Sequence, residues 1–298
     1  MALDREAAEA ALGCEVAEKL DLVLPLAAFG VSEIVDENMA NAARVHAIES
    51  GNYARGRTLV AFGGAAPLHA ARMAEKLGLD RVLVPLHAGV GSAVGFLRAP
   101  IAYEVVRSQL QRLDAFDPDA ANALLQAMRA EAEAIVRRGE PEGALTETRS
   151  AFMRYRGQGH EIAVTLPVRT YQAEDAAMLL AAFEEAYRAL YSRVIPGVEV
   201  EVLSWVLLLS GPAPEDATEA PAEPPPSYPE PARRRAVFDP EGAEFVEVAI
   251  YERAALAPGA VIPGPAVIVE DETSTVVGRN FDARIDGFRY IELTRRLP

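Results

Sequence analysis

From Val31 to Glu49 a helical pattern recurs: Val31, Ile34, Val35, Asn38, Ala42, Val45 and Ile48 fall at helical spacing, all but Asn38 apolar, and Gly51 follows as a helix stop. Asn38 and Asn41 are adjacent in rotation to that apolar face. Amides in such a place bond a neighbouring element or line a pocket, because burying them unpaired is costly. Residues 1–28 are Ala-rich, acidic and weakly helical. The pattern then shortens. Thr58–Phe62 reads as a buried strand ending at Gly63–Gly64, Pro67–Leu77 as a helix stopped by Gly78, and Arg81–Pro85 as a second strand. Strand, turn, helix, strand is the grammar of a βαβ unit, so a mostly parallel sheet is expected there. The small-residue run from His87 to Phe96 permits close backbone packing.

A mixed region covers 101–210. Ile101–Leu113 reads as strand, Pro118–Arg138 and Tyr171–Tyr191 as helices, Leu145–Tyr155 and Glu161–Leu166 as a hairpin, and Val198–Ser210 as a strand carrying Trp205. Residues 211–235 hold eight prolines and many acids and predict an extended or disordered linker. Beyond it, 236–298 is strand after strand, a small β-rich module that is short for an independent core and must pack on the rest. The expected fold class is therefore α/β: an N-terminal lobe over 1–100, the mixed α/β region, the linker and the β-rich module.

Composition narrows the function classes. With 44 Asp and Glu against 29 Lys and Arg, the chain carries −15, which disfavours nucleic acid or an anionic membrane as partner. A single cysteine, Cys14, excludes an internal disulfide framework and a Cys-rich zinc site. No basic, apolar leader opens the chain and no run is long enough to cross a bilayer, so a cytoplasmic setting is expected. The histidines are His46, His69, His87 and His160, and no metal site is read from their spacing.

Chemistry concentrates at VAFGGAAPLHA, Val60–Ala70. A Gly-Gly pair between a strand and a helix lets backbone N–H groups approach a nucleotide, or simply makes a tight turn. The spacing is neither a dinucleotide fingerprint nor a phosphate loop. His69, on the first turn of the following helix, suits a neutral ring that hydrogen-bonds or lines a site; His87, after the second strand, falls where ligand crevices open in parallel sheets. RYRGQGHEI, Arg154–Ile162, either holds an anion or braces another element. EDETSTV, Glu270–Val276, reads as a structural turn.

Four segments in order, DENMANAARVHAIESG, TLVAFGGAAPLHAARMAEKLGLDRVLVPLHAGVGSAVGFL, RYRGQGHEIAVTLP and PGPAVIVEDETSTVVGRNFDARID, closely resemble the C-terminal half of the hydantoinase A / 5-oxoprolinase family. The resemblance implies part of an ATP-using lobe of the actin, Hsp70 and sugar-kinase type. In it Phe62, Gly63, Gly64 and Ala65 approach the adenosine, with Asn38 and Asn41 on the neighbouring helix and His69 and His87 as pocket residues; it assigns no catalytic residue. The implied function is that of a subunit of an ATP-dependent hydantoinase, N-methylhydantoinase or 5-oxoprolinase type amidohydrolase, which phosphorylates a cyclic amide carbonyl. The alternatives are a ketone carboxylase subunit of the acetone or acetophenone type and a non-catalytic scaffold. ATP with Mg2+ is the implied cofactor. The implied partners are an N-terminal-half hydantoinase A-type subunit and a hydantoinase B-type subunit, because the phosphate-binding glycine motifs of the family are absent here. The chain alone is expected to be incompetent, and Met1 favours a separate polypeptide. One departure stands in the turn itself: Ala66 replaces the second glycine of the usual FGGAGPLHA, which crowds the backbone unless the local φ is negative.

Overall fold

The computed structural model describes residues 4–213, 221–222, 224–239 and 242–296. Its elements begin with α1 (Arg5–Leu12), capped by the Asp4 side chain, then α2 (Glu18–Leu20) and the long α3 (Leu24–Glu49). Next come β1 (Thr58–Val60), α4 (Ala66–Leu77), β2 (Arg81–Val84) and α5 (Gly91–Arg98). Gly78 ends α4 with φ +67, the left-handed conformation that glycine adopts without a Cβ penalty. The chain divides into two compact units, one built from the part up to Leu97 together with the C-terminal strands, the other starting at Arg98.

The second unit contains β3 (Ala102–Arg112), α6 (Pro118–Val136), β4 (Thr146–Tyr155), β5 (Ile162–Leu166), α7 (Asp175–Tyr191) and β6 (Val200–Ser210). Its antiparallel sheet runs β3-β6-β4-β5, so β6 lies between β3 and β4, and β4 between β5 and β6. Two split βαβ units thereby interlock. The inward residues of the strands meet α6 and α7 in one core around Trp205, Tyr155, Phe183 and Leu125.

In the first unit the chain resumes with β7 (Arg233–Asp239), β8 (Glu244–Glu252), β9 (Val261–Pro263), β10 (Ala266–Val269), β11 (Ser274–Val277), β12 (Phe281–Ile285) and β13 (Ile291–Arg295). A five-stranded sheet runs β1-β2-β13-β12-β9 and a four-stranded one β11-β10-β8-β7. Only β1 with β2 and β8 with β10 pair in parallel among the named strands; the rest are antiparallel. The parallel sheet expected after residue 58 is thus one parallel pair whose open edge, β2, is closed by β13 from the far end of the chain. An uncovered edge exposes backbone donors and acceptors, and β13 satisfies them. Thr58–Phe62 is not the buried strand its composition suggests: β1 is an edge strand, and Val60 is exposed.

Of the Pro-rich stretch 211–235, residues 214–220 and 223 lie outside the described ones. Within the remainder Ser227 bridges Ala260, and 233–235 already belong to β7. No helix among the described residues is long and apolar enough to cross a membrane.

Candidate functional site

The turn after β1 is fixed at both ends. Ala61 N–H donates to Leu83 O and Gly63 N–H to Ala88 O, at 2.8 and 2.9 Å. Thr273 Oγ1 donates to Gly64 O at 2.6 Å. Gly63 has φ +122, a backbone conformation closed to ordinary L-residues, so this glycine is obligatory. Gly64 is different: its φ is not in that region, and an added Cβ would find only Glu272 O at 3.8 Å. Bulk at Gly64 therefore meets open space, and within the turn backbone strain on substitution is confined to Gly63. Ala65 is the N-cap residue of α4 and Ala66 its first residue, absent from the positive-φ positions, so the departure at Ala66 is sterically harmless. Phe62 stands 55% exposed beside the turn.

The small-residue run closes over this turn. A Cβ at Gly91 would stand 2.3 Å from Phe62 Cε2, and one at Gly89 would stand 2.6 Å from Glu272 Cβ and 2.8 Å from Glu272 O. The loop 270–273 thus sits against both glycine segments. It is a turn, as its sequence suggests: Glu270 N–H donates to Thr273 O, and Glu270 Oε1 accepts from the buried Arg253 at 2.7 Å. Arg253 also donates to Val84 O and Arg289 O, pinning the end of β2. His87 is exposed, with φ +57, and lines a cavity of about 240 Å³ with Arg253, Glu252, Glu272 and Arg289.

His69 is not free. Its Nδ1 lies 2.8 Å from Oδ1 of Asp36, a carboxylate on α3 that is only 5% exposed. With the carboxylate accepting, the proton sits on Nδ1 and Nε2 is left as the acceptor. Burial pushes the Asp36 carboxyl above its ordinary value, against the lowering pull of the His69 bond. Around this pair a charged lattice joins the two helices. Glu33 accepts from Arg72 and from Lys76, and Glu37 accepts from Lys76 and from Arg44. The Arg72 and Lys76 bonds hold the Glu33 carboxyl down to about 2.

The structure brings together Phe62, Gly63, Gly64, Ala65 and His69 at the head of α4. It places the two amides elsewhere. Asn41 accepts from Arg44, and Asn38 is exposed on the face of α3 opposite the one that packs on α4. The apolar face of α3 is the open one, because the charged lattice commits the other side of the helix to α4. Asp36 and Thr273, the two side chains that position the site, escaped the sequence reading. Asp36 does carry a signal, as a carboxylate opposite the apolar stripe of a helix; Thr273 carries none, since its partner lies 209 positions away. In the second unit, Arg154, Arg156 and Gln158 bond Glu201, Glu199 and Tyr187. That loop braces its own unit.

Comparison with known proteins adds the family. The chain matches Hydantoinase/oxoprolinase over residues 1–105 and the Hydantoinase/oxoprolinase C-terminal domain over residues 120–296. It is 29% identical over 304 residues to caprolactamase subunit alpha of Pseudomonas jessenii, covering 98% of this chain and 43% of that one. The crystal structure of the ATP-dependent caprolactamase of the same organism superposes with a TM-score of 0.70 at 28% identity, over 98% of this chain and 43% of that chain. The nucleotide-free structure of acetone carboxylase, an ATP-dependent enzyme, gives the same TM-score at 26% identity, also over 98% and 43%. The mixed α/β fold with several sheets is the fold of these enzymes. The chain spans about two-fifths of the length of the curated relatives it matches.

Proposed function

The chain belongs to the hydantoinase/oxoprolinase family, and on that premise we propose that it supplies the adenosine-facing part of the nucleotide site in an ATP-dependent enzyme that activates a cyclic amide carbonyl. The observation that carries this reading is the Phe62–Ala65 turn: glycine backbone at the head of a helix, held rigid from three sides, with unfilled space beyond Gly64. A nucleoside fits such a surface because bare glycine backbone lets it approach without side chains intervening. The phosphates do not fit this chain equally well. Arg72, Lys76 and Arg44, the cations of the neighbouring helices, are committed to Glu33 and Glu37. Phosphate and Mg2+ contacts then come from an N-terminal-half hydantoinase A-type polypeptide, with a hydantoinase B-type polypeptide completing ring opening in the cytoplasm. ATP supplies the phosphoryl group that makes the amide carbon electrophilic. This chain orients the nucleoside.

Ketone carboxylation is the second reading, favoured by the equal fit to acetone carboxylase; turnover of a lactam against a ketone plus bicarbonate separates the two. The nucleotide assignment is tested by titrating the assembled enzyme with a non-hydrolysable ATP analogue. Gly64→Val should weaken binding by about 5- to 150-fold, roughly 1–3 kcal/mol of crowding against the ligand. Equal affinity in a folded, assembled variant would make the turn structural only.

A further inference from the structure

All four charged residues between Val31 and Ile48, namely Glu33, Asp36, Glu37 and Arg44, lie on the α4 side of α3. The opposite side is an uncharged stripe. Val31, Ile34, Val35, Val45 and Ile48 all stand exposed, Ile34 at 63% and Ile48 at 67%, with Asn38 at the centre of the stripe. Their spacing is three and four residues, the repeat that seats one helix against another with an axis crossing of about 20°. A surface of this kind, roughly 27 Å long over 18 residues, is costly to leave in water.

We infer that this stripe is a helix-packing seam, and that its occupant is an amphipathic helix of the polypeptide that supplies the rest of the family length. The inference rests on the proposal above that such a polypeptide completes the enzyme. Two observations choose the occupant. Nearly the whole chain, 98%, superposes on relatives of which it makes up 43%, so in those proteins the equivalent helix lies in a chain with more than as much polypeptide again. The stripe carries no charge until Glu49 ends it, about five turns beyond Val31, with the exposed His46 at its flank. Over that length the facing helix is apolar and offers one polar group opposite Asn38, whose amide fixes the register as a lone asparagine does in a coiled-coil seam.

The test uses the tagged chain purified from its own source cells, with native mass measurement and hydroxyl-radical footprinting, read against the chain produced alone. The expected result is an assembly more than twice the mass of the chain, in which labelling of Ile34, Val35 and Val45 falls at least ten-fold while Leu190, exposed on α7, labels as before. Ile34→Glu and Val45→Glu, at exposed helical positions that tolerate Glu, should each release the free chain. Recovery of a monomer, an assembly whose stripe still labels, a dimer of this chain that protects it, or an assembly indifferent to both folded variants would each overturn the inference. Nucleotide titration of the same sample is a separate readout: a protected seam without nucleotide binding would reject the functional proposal alone.

Discussion

Replacing Gly89 by alanine tests how tightly the glycine-rich run holds the candidate site. The new Cβ would lie 2.6 Å from Glu272 Cβ and 2.8 Å from Glu272 O, where ordinary contact needs roughly 3.5–4 Å. Relief requires the loop 270–273 to retreat by about 1 Å. That loop is anchored by the Glu270–Arg253 ion pair and by the Thr273 bond to Gly64 O, so backbone rather than a flexible side-chain tip has to move. Overpacking of this kind costs about 1–3 kcal/mol, and straining one hydrogen bond adds about 1 kcal/mol. The gain from replacing glycine in a helical turn returns about 0.5–1 kcal/mol. The net expectation is a loss of about 1–3 kcal/mol, or roughly 2–12 °C in Tm for a unit of this size. Urea and thermal unfolding followed by circular dichroism measure it, and hydrogen exchange at the Gly63 amide, which bonds Ala88 O, reports the local loosening. Gly64→Ala is the control, since its Cβ meets nothing closer than 3.8 Å; it should stay within about 0.5 kcal/mol of the parent. A Gly89→Ala protein as stable as the parent, or a Gly64→Ala protein equally damaged, would refute the claim that close approach at Gly89 holds the turn in place.

Two further outcomes follow from the lattice between α3 and α4. The Glu33 carboxyl titrates at about 2 when folded against an ordinary 4.5, so the unfolded chain binds the extra proton between those values; its stabilising contribution is present above about pH 4.5 and lost as pH falls towards 2. After solvent screening this is about 1–2 kcal/mol, and the pH dependence of urea unfolding should flatten over that window in Glu33→Gln. Asp36→Ala should cost about 1–3 kcal/mol by leaving His69 unpaired against a buried gap, and Asp36→Asn less, because the amide still accepts from the ring. Burial raises the Asp36 pKa, so its ionisation costs stability as pH rises above its ordinary value, and the advantage of Asp over Asn in equilibrium unfolding should shrink over that range.

Local grammar sufficed for much of this molecule. Periodicity and stop residues located α4, the β4–β5 hairpin and α3 from Val31 to its end, with Gly51 and Gly78 just beyond the two helices, because these depend on neighbours in the chain; the first turns of α3, from Leu24, were missed. The motif segments were enough to identify the family, whereas the demand for glycine at Gly63 rather than Gly64 emerged only from its φ of +122. What only the tertiary structure decided is every relation set by distant partners. Strand β2 finds β13 across more than 200 positions, Gly64 finds Thr273, and Asp36 finds His69, and no local pattern encodes those pairings. The face of α3 shows the reason most plainly. Hydrophobic spacing marks a surface that needs a cover, but it does not say whether the cover is within the same fold. Here the ion pairs of Glu33, Glu37, Arg72 and Lys76 hold the polar side of the helix against α4 and leave the apolar side outward.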